Sequence, residues 1–159
     1  MHTDSEANTI IKAIEYYGRE NQIIVAIEEI SEFLYALSEG NPENILEECV
    51  DAQISLFTLK ICGIKFGRRV RNNLTTFQAG LCLIKGLTKI LRKDSEIICE
   101  YDLIEETQQH LNVYLSRYNN ERIQGKISAK LKRLEDRINN KLNCHHICCF
   151  CKYKKYCKR

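Results

Sequence analysis

The sequence predicts an all-α protein, and three observations carry that prediction. The 159-residue chain contains one proline, Pro42, so long segments can run helical without the lost N–H and ring clash that break helices. Its seven glycines fall mostly between apolar-periodic segments, where they punctuate rather than interrupt. Within those segments apolar residues recur at alternating intervals of four and three, the period that lines one face of a helix. A composition 44% apolar provides a core for one compact domain, and two domains would strain it.

The first strong element carries Ile23, Ile27, Ile30, Leu34 and Leu37 on one stripe. The second carries Ile45, Cys49, Ala52, Leu56 and Leu59. Between them Gly40 suits a left-handed C-terminal cap, Asn41 an N-cap, and Pro42 the first helical position, where its missing N–H costs nothing. The two helices are expected to fold back as an antiparallel hairpin.

This hairpin is acidic. The stretch from Glu28 to Asp51 holds seven glutamates and one aspartate. Glu29 and Glu32 lie three apart on the first helix, Glu48 and Asp51 three apart on the second, so each pair projects from one face about a turn apart. In an antiparallel hairpin, residues with a constant index sum share a height, and Glu29 with Asp51 and Glu32 with Glu48 give the same sum. The four carboxylates are therefore expected to face one another. Like charges held this close repel and raise each other's pKa unless a cation offsets them. A hard divalent ion with oxygen ligands fits, and Mg²⁺ (or Mn²⁺) commonly completes its shell with substrate phosphate oxygens. The competing reading is a solvated acidic helix face, which most such runs are; the matched heights favour a site.

The segment "AIEYYGRENQIIVAIEEISEFLYALSEG…ILEECVDAQISL" resembles the MazG-like, all-α nucleotide pyrophosphohydrolases, whose pattern is EExxE, a spacer, then ExxD. Here these are Glu28, Glu29, Glu32, Glu48 and Asp51, with a spacer of 15 residues. The likeness covers residues 10–60 and returns at "KLKRLEDRI", residues 130–138, which is similar to the basic closing helix of small phage and bacterial members. It implies a Mg²⁺-dependent enzyme that cleaves a nucleoside triphosphate to the monophosphate and pyrophosphate. Glu29, Glu32, Glu48 and Asp51 would be metal ligands, Glu28 would orient water or a second ion, and Glu28 and Glu32 are the candidate catalytic carboxylates. Lys130 and Arg133 would bind phosphate; an exposed basic helix end is the alternative for that pair. Small size and a worn duplication are compatible with a phage origin.

Residues 79–111 read as a degenerate second copy of residues 26–57. Leu83, Leu87 and Ile90 fall on Ile30, Leu34 and Leu37, while Asp102 and Glu105 fall on Glu48 and Asp51. Cys82 and Lys85 replace the first-helix acids, so this half is not expected to bind metal; Lys85 would face substrate phosphate. Chance alignment of two amphipathic hairpins explains the same match. The implied organisation is a helical bundle over residues 1–140, with an intact acidic hairpin at 10–63 and a worn hairpin plus basic helix at 77–140. A homodimer is open on either reading.

Residues 141–159 form a Cys/His-rich basic tail, "KLNCHHICCFCKYKKYCKR" with its first residues. Cys144, Cys148, Cys151 and Cys157 have spacings that suit Zn²⁺, or an iron–sulfur cluster like the C-terminal loops of some RecB-type nucleases. An unstructured tail is the plain alternative. Ordered by metal, Lys152, Lys154, Lys155, Lys158 and Arg159 around Tyr153 and Tyr156 would make a nucleic-acid-binding patch.

Other classes recede. A formal charge of +3, from 24 basic and 21 acidic residues, gives no global field favouring nucleic acid or membrane. No apolar run approaches the roughly 20 residues of a membrane helix, and the start lacks the pattern of a secretory signal, so a cytoplasmic location is expected. Nine cysteines without an export signal then read as thiols, metal ligands or small core residues. "GIKFGRRV" lacks the lysine and flanking strand of a phosphate loop, which removes kinase and ATPase readings. A non-catalytic helical nucleotide- or partner-binding protein and a nucleic-acid adaptor acting through the tail remain as alternatives to the hydrolase. Phe33, Phe57 and Tyr101 are candidate walls of a base pocket, though aromatics at helical spacing are more often core.

Overall fold

The computed structural model describes residues 4–68, 73–93 and 102–142, and these are helical without a strand. Six helices follow in order: α1 (Asp4–Tyr17), α2 (Arg19–Glu39), α3 (Pro42–Ile61), α4 (Thr76–Leu91), α5 (Leu103–Leu115) and α6 (Asn120–Leu142). The tail cysteines Cys144, Cys148, Cys151 and Cys157, and also Cys99 and Tyr101, lie outside the described residues.

Local chemistry sets the helix ends. Gly40 takes φ 74°, the left-handed conformation that glycine adopts without a Cβ penalty, and its N–H donates to the Ala36 carbonyl. The Asn41 side chain accepts from the N–H groups of Glu43 and Asn44, and Pro42 opens α3. Two residues thus reverse the chain, and α2 and α3 pack along each other as an antiparallel hairpin. Thr75 and Gln78 form a reciprocal capping box at the start of α4, and the Asp102 carboxylate caps α5. The sequence pattern does not anticipate α1 as a separate helix. Gly18, at φ 85°, ends it, with its N–H on the Ile14 carbonyl, and the chain restarts as α2.

The stripes face inward. Ile23, Ile30, Leu34, Cys49, Ala52, Leu56 and Leu59 are buried, with Ile27, Leu37 and Ile45 packed at the edge. Leu83 and Leu87 of α4 and Leu111 of α5 complete the same core. Helix α2 packs on α3 and α4, and α5 packs on α3 and α4, so these four enclose the apolar centre. Phe33 is buried edge-on against Tyr114, with ring centroids 5.6 Å apart, so it is core; Phe57 is half-buried. Cys49 is also core: its thiol donates to the Leu111 carbonyl, and burial pushes its pKa up to about 12, which keeps it protonated and unreactive. Cys62 is half-buried and Cys82 exposed.

Helices α1 and α6 flank this group, packed on each other, with α1 also on α2 and α3 and α6 on α3, and Ile10, Ile127 and Leu131 join the same core. Arg122 pairs with Glu43, Lys126 with Glu47 and Lys130 with Asp51. All three pairs keep one sequence offset, so α6 runs parallel to α3 and the contacts repeat every turn. Ile127 and Leu131 of α6 are buried alongside this ladder, and Ile138 is buried further along the helix.

Candidate metal centre

Across the α2–α3 hairpin, Glu29, Glu48 and Asp51 converge. One carboxylate oxygen from each lies within 4.8 Å of the others. Asp51 is buried, with its side chain 4% exposed, whereas Glu29 and Glu48 are half-buried. The fourth expected ligand, Glu32, is exposed and stands outside the trio. Rotation explains the difference: three residues advance a helix by 300°, so Glu32 sits about 60° around from Glu29, toward solvent. The same step on α3 carries Asp51 from the half-buried position of Glu48 into the interior. Equal index sums match heights, and heights alone do not fix facing.

Electrostatics mark the trio as undercompensated. Burial raises the Glu29 pKa first; Lys130 opposes this, and the charges of Glu32, Glu48 and Glu28 add to it. Glu48 is raised by burial and then by Glu32, again with Lys130 opposing and Glu47 adding. Glu32 therefore belongs to the same field although its oxygens are not among those that converge. Glu28 is exposed beside it.

Lys130 reaches Asp51 from α6 and is the cation acting on all three acids. Three carboxylates against one ammonium leave two formal negative charges in a partly desolvated place, which a divalent cation would neutralise. The donor set is entirely oxygen, as Mg²⁺ and Mn²⁺ require. By charge and donor chemistry the residues fit such an ion.

Beside Asp51 opens a groove of about 500 Å³ between α3 and α6. Lys126, Lys130, Lys132 and Arg133 line it together with the carboxylates Glu47, Asp51 and Asp136, over Val50 and Ala129. Lys130 and Arg133, the two basic residues expected from the sequence, thus share one cleft with a carboxylate of the trio. Lys85 does not line it: it is exposed on α4, which packs on α2 and α5. Asp102 and Glu105 have other work, Asp102 capping α5 and Glu105 pairing with Lys60 at 3.1 Å. The Lys130–Asp51 pair itself is not anticipated from sequence. The signal that carries it is the spacing of Glu43, Glu47 and Asp51 against Arg122, Lys126 and Lys130, two four-residue series of opposite charge.

No family model, curated protein or solved structure matches the chain. No helix among the described residues is long and apolar enough to cross a membrane.

Proposed function

We propose that the protein is a divalent-metal-dependent nucleoside triphosphate pyrophosphohydrolase, converting a (d)NTP and water to the monophosphate and pyrophosphate. The observation that carries this reading is the Glu29–Glu48–Asp51 trio, whose Asp51 also lines the groove that holds Lys130 and Arg133. An acidic face built only for solubility has no reason to gather three partly or fully buried carboxylates at one place. In the same reading α2–α3 and α4–α5 are the two hairpins of a bundle, the second having lost its first-helix acids.

Glu29, Glu48 and Asp51 would hold Mg²⁺ or Mn²⁺, which when bound polarises phosphate oxygens and offsets charge developing on them. Lys130 and Arg133 hold the triphosphate along the groove and align it for in-line displacement, where positioning supplies much of the rate. Water attacks phosphorus at the α–β bridge; its oxygen forms the new bond as the bridging P–O bond breaks and pyrophosphate leaves. In this reading Glu32, exposed and outside the converged trio, would accept the water's proton, with Glu28 beside it.

The test is turnover of a panel of canonical and modified dNTPs with Mg²⁺, assayed separately for phosphate and pyrophosphate. Pyrophosphate is the expected product, and Glu48→Gln should reduce its release by on the order of 100-fold or more, as loss of a charge-stabilising group does. Phosphate as the primary product, or full activity in Glu48→Gln, overturns the assignment.

A further inference from the structure

A second cavity, of about 250 Å³, lies where α3, α5 and α6 meet. Its polar lining is Gln53, Asn112, Ser116, Asn120 and Gln124, with no charged side chain, over aliphatic residues that include Ile127. Five neutral hydrogen-bonding groups in one recess of a chain that is 28% charged set this place apart from the rest of the surface. Gln53 adds a sharper observation: its Oε1 is buried with no hydrogen-bond partner, a state that costs about 1–3 kcal/mol unless something donates to it.

The bonds already made define what remains available. Gln108 donates to the Asn112 Oδ1 at 3.2 Å, which leaves the Asn112 amide NH₂ free to donate. The Ser116 hydroxyl donates to the Val113 carbonyl at 2.9 Å, leaving its oxygen as an acceptor. The recess thus presents the Ser116 oxygen as an acceptor and the Asn112 amide as a donor, and the Gln53 oxygen, closed off from solvent, joins them when its amide turns into the recess. A complementary ligand is uncharged and carries N–H and C=O groups side by side. The volume equals that of about eight waters at liquid density, room for a ring system.

This recess is separate from the phosphate groove. Gln53 follows Asp51 by two residues, about 200° around α3, and Ile127 follows Lys126 by about 100° around α6. The two cavities therefore flank the α3–α6 seam on opposite sides, and buried Ile127 and Leu131 close that seam. A triphosphate held at Asp51 does not place its own base here.

We infer that the cavity between α3, α5 and α6 is a binding site for an uncharged nucleobase or nucleoside, read through the amide edge of the ring, distinct from the acidic centre. It does not depend on the hydrolase reading. The chemistry is that of amide side chains pairing with a base edge, where each donor–acceptor pair adds selectivity and a mismatched one leaves a buried group unpaired.

The test is titration of the full chain with uridine, cytidine, thymidine, adenosine and guanosine, followed by NMR of the side-chain NH₂ groups of Gln53, Asn112, Asn120 and Gln124. Saturable shifts of these resonances with a subset of the nucleosides are expected, undiminished by excess pyrophosphate. Gln53→Leu should weaken that binding at least tenfold while melting no lower than the parent, because it replaces an unpartnered acceptor with an apolar group of similar size. No saturable shift with any nucleoside, displacement by pyrophosphate, or unchanged binding in a folded Gln53→Leu variant each overturns the inference.

Discussion

Replacing Lys130 by methionine isolates the charge problem at the centre of this molecule. Methionine keeps an unbranched stem that can pack along α3 but deletes the ammonium. Asp51, with 4% of its side chain exposed, then loses its ion-pair partner beside Glu29 and Glu48. Removing one partner of a buried pair costs about 3–5 kcal/mol. Because a third of Lys130 is exposed and water screens its side of the pair, the lower end, about 3 kcal/mol, applies. For a chain of this length each kcal/mol moves the melting temperature by roughly 2–4 °C, so the metal-free variant should melt roughly 10 °C lower. A divalent ion would replace the missing charge without first displacing a lysine. At a hundredfold excess over its Kd it returns about 2.7 kcal/mol, which nearly restores the parent's stability, and the parent gains less from the same ion. Thermal denaturation of both proteins with and without Mg²⁺, Mn²⁺ and Ca²⁺ measures this directly. A Lys130→Met variant that melts with the parent and ignores all three ions would show the acids to be a solvated face, and the reasoning fails.

Two further expectations follow from particular groups. Glu29 and Glu48 have pKa values raised above 4.5 by burial, so between 4.5 and those raised values the native state holds more protons than the unfolded chain. Their contribution therefore diminishes stability as pH rises through that window and is constant below it; urea melts across pH should show the decline in metal-free protein, and Glu29→Gln should flatten it. A contrast between two helical glycines checks the packing. A Cβ at Gly86 would meet the Phe66 ring at 2.5 Å and Leu103 at 3.2 Å, whereas a Cβ at Gly125 meets nothing within 4 Å. Gly125→Ala should stabilise by about 0.5–1 kcal/mol, and Gly86→Ala should destabilise by about 1–3 kcal/mol through overpacking; equal effects in denaturant titration would contradict the arrangement around α4.

The parts of this fold that were legible in sequence are those governed by neighbours along the chain. Gly40, Asn41 and Pro42 announce a helix end, a cap and a helix start in three consecutive residues, and each takes that role. The period of the apolar residues fixes which face of α2 and α3 is buried. What lay beyond reach depends on rotation and on distant partners. Glu32 and Glu29 share a motif, yet a 60° turn leaves one in water and the other beside Asp51. Gly18 gives no sequence signal distinguishing a helix break from a tolerated interior glycine, because its positive φ is set by where α1 must pack. Gln53 has the same look as any polar residue on a helix; only the meeting of three helices strands its carbonyl oxygen.

The acids crowded around the turn serve two different ends, and the α3–α6 ladder separates them. Glu43 and Glu47 meet Arg122 and Lys126 in exposed pairs; such pairs contribute at most about 1 kcal/mol each, but their common offset sets the register of α6 against α3. That register delivers Lys130 to Asp51 one turn further on, where the ladder passes from solvent to interior. Docking of α6 would be complete with that third rung. Glu29 and Glu48 take no part in it, and their burial beside Asp51 raises the cost of ionising them. Polar residues would serve their positions at less expense if structure were the only demand. The two charges that Lys130 leaves unbalanced are thus surplus to the fold, and their neighbour Asp51 lines the groove where α6 presents Lys132 and Arg133, neither ion-paired among the described residues, beside Asp136. Excess negative charge on one wall and uncommitted positive charge on the other is the arrangement that a cation and a polyanion bound together would relieve.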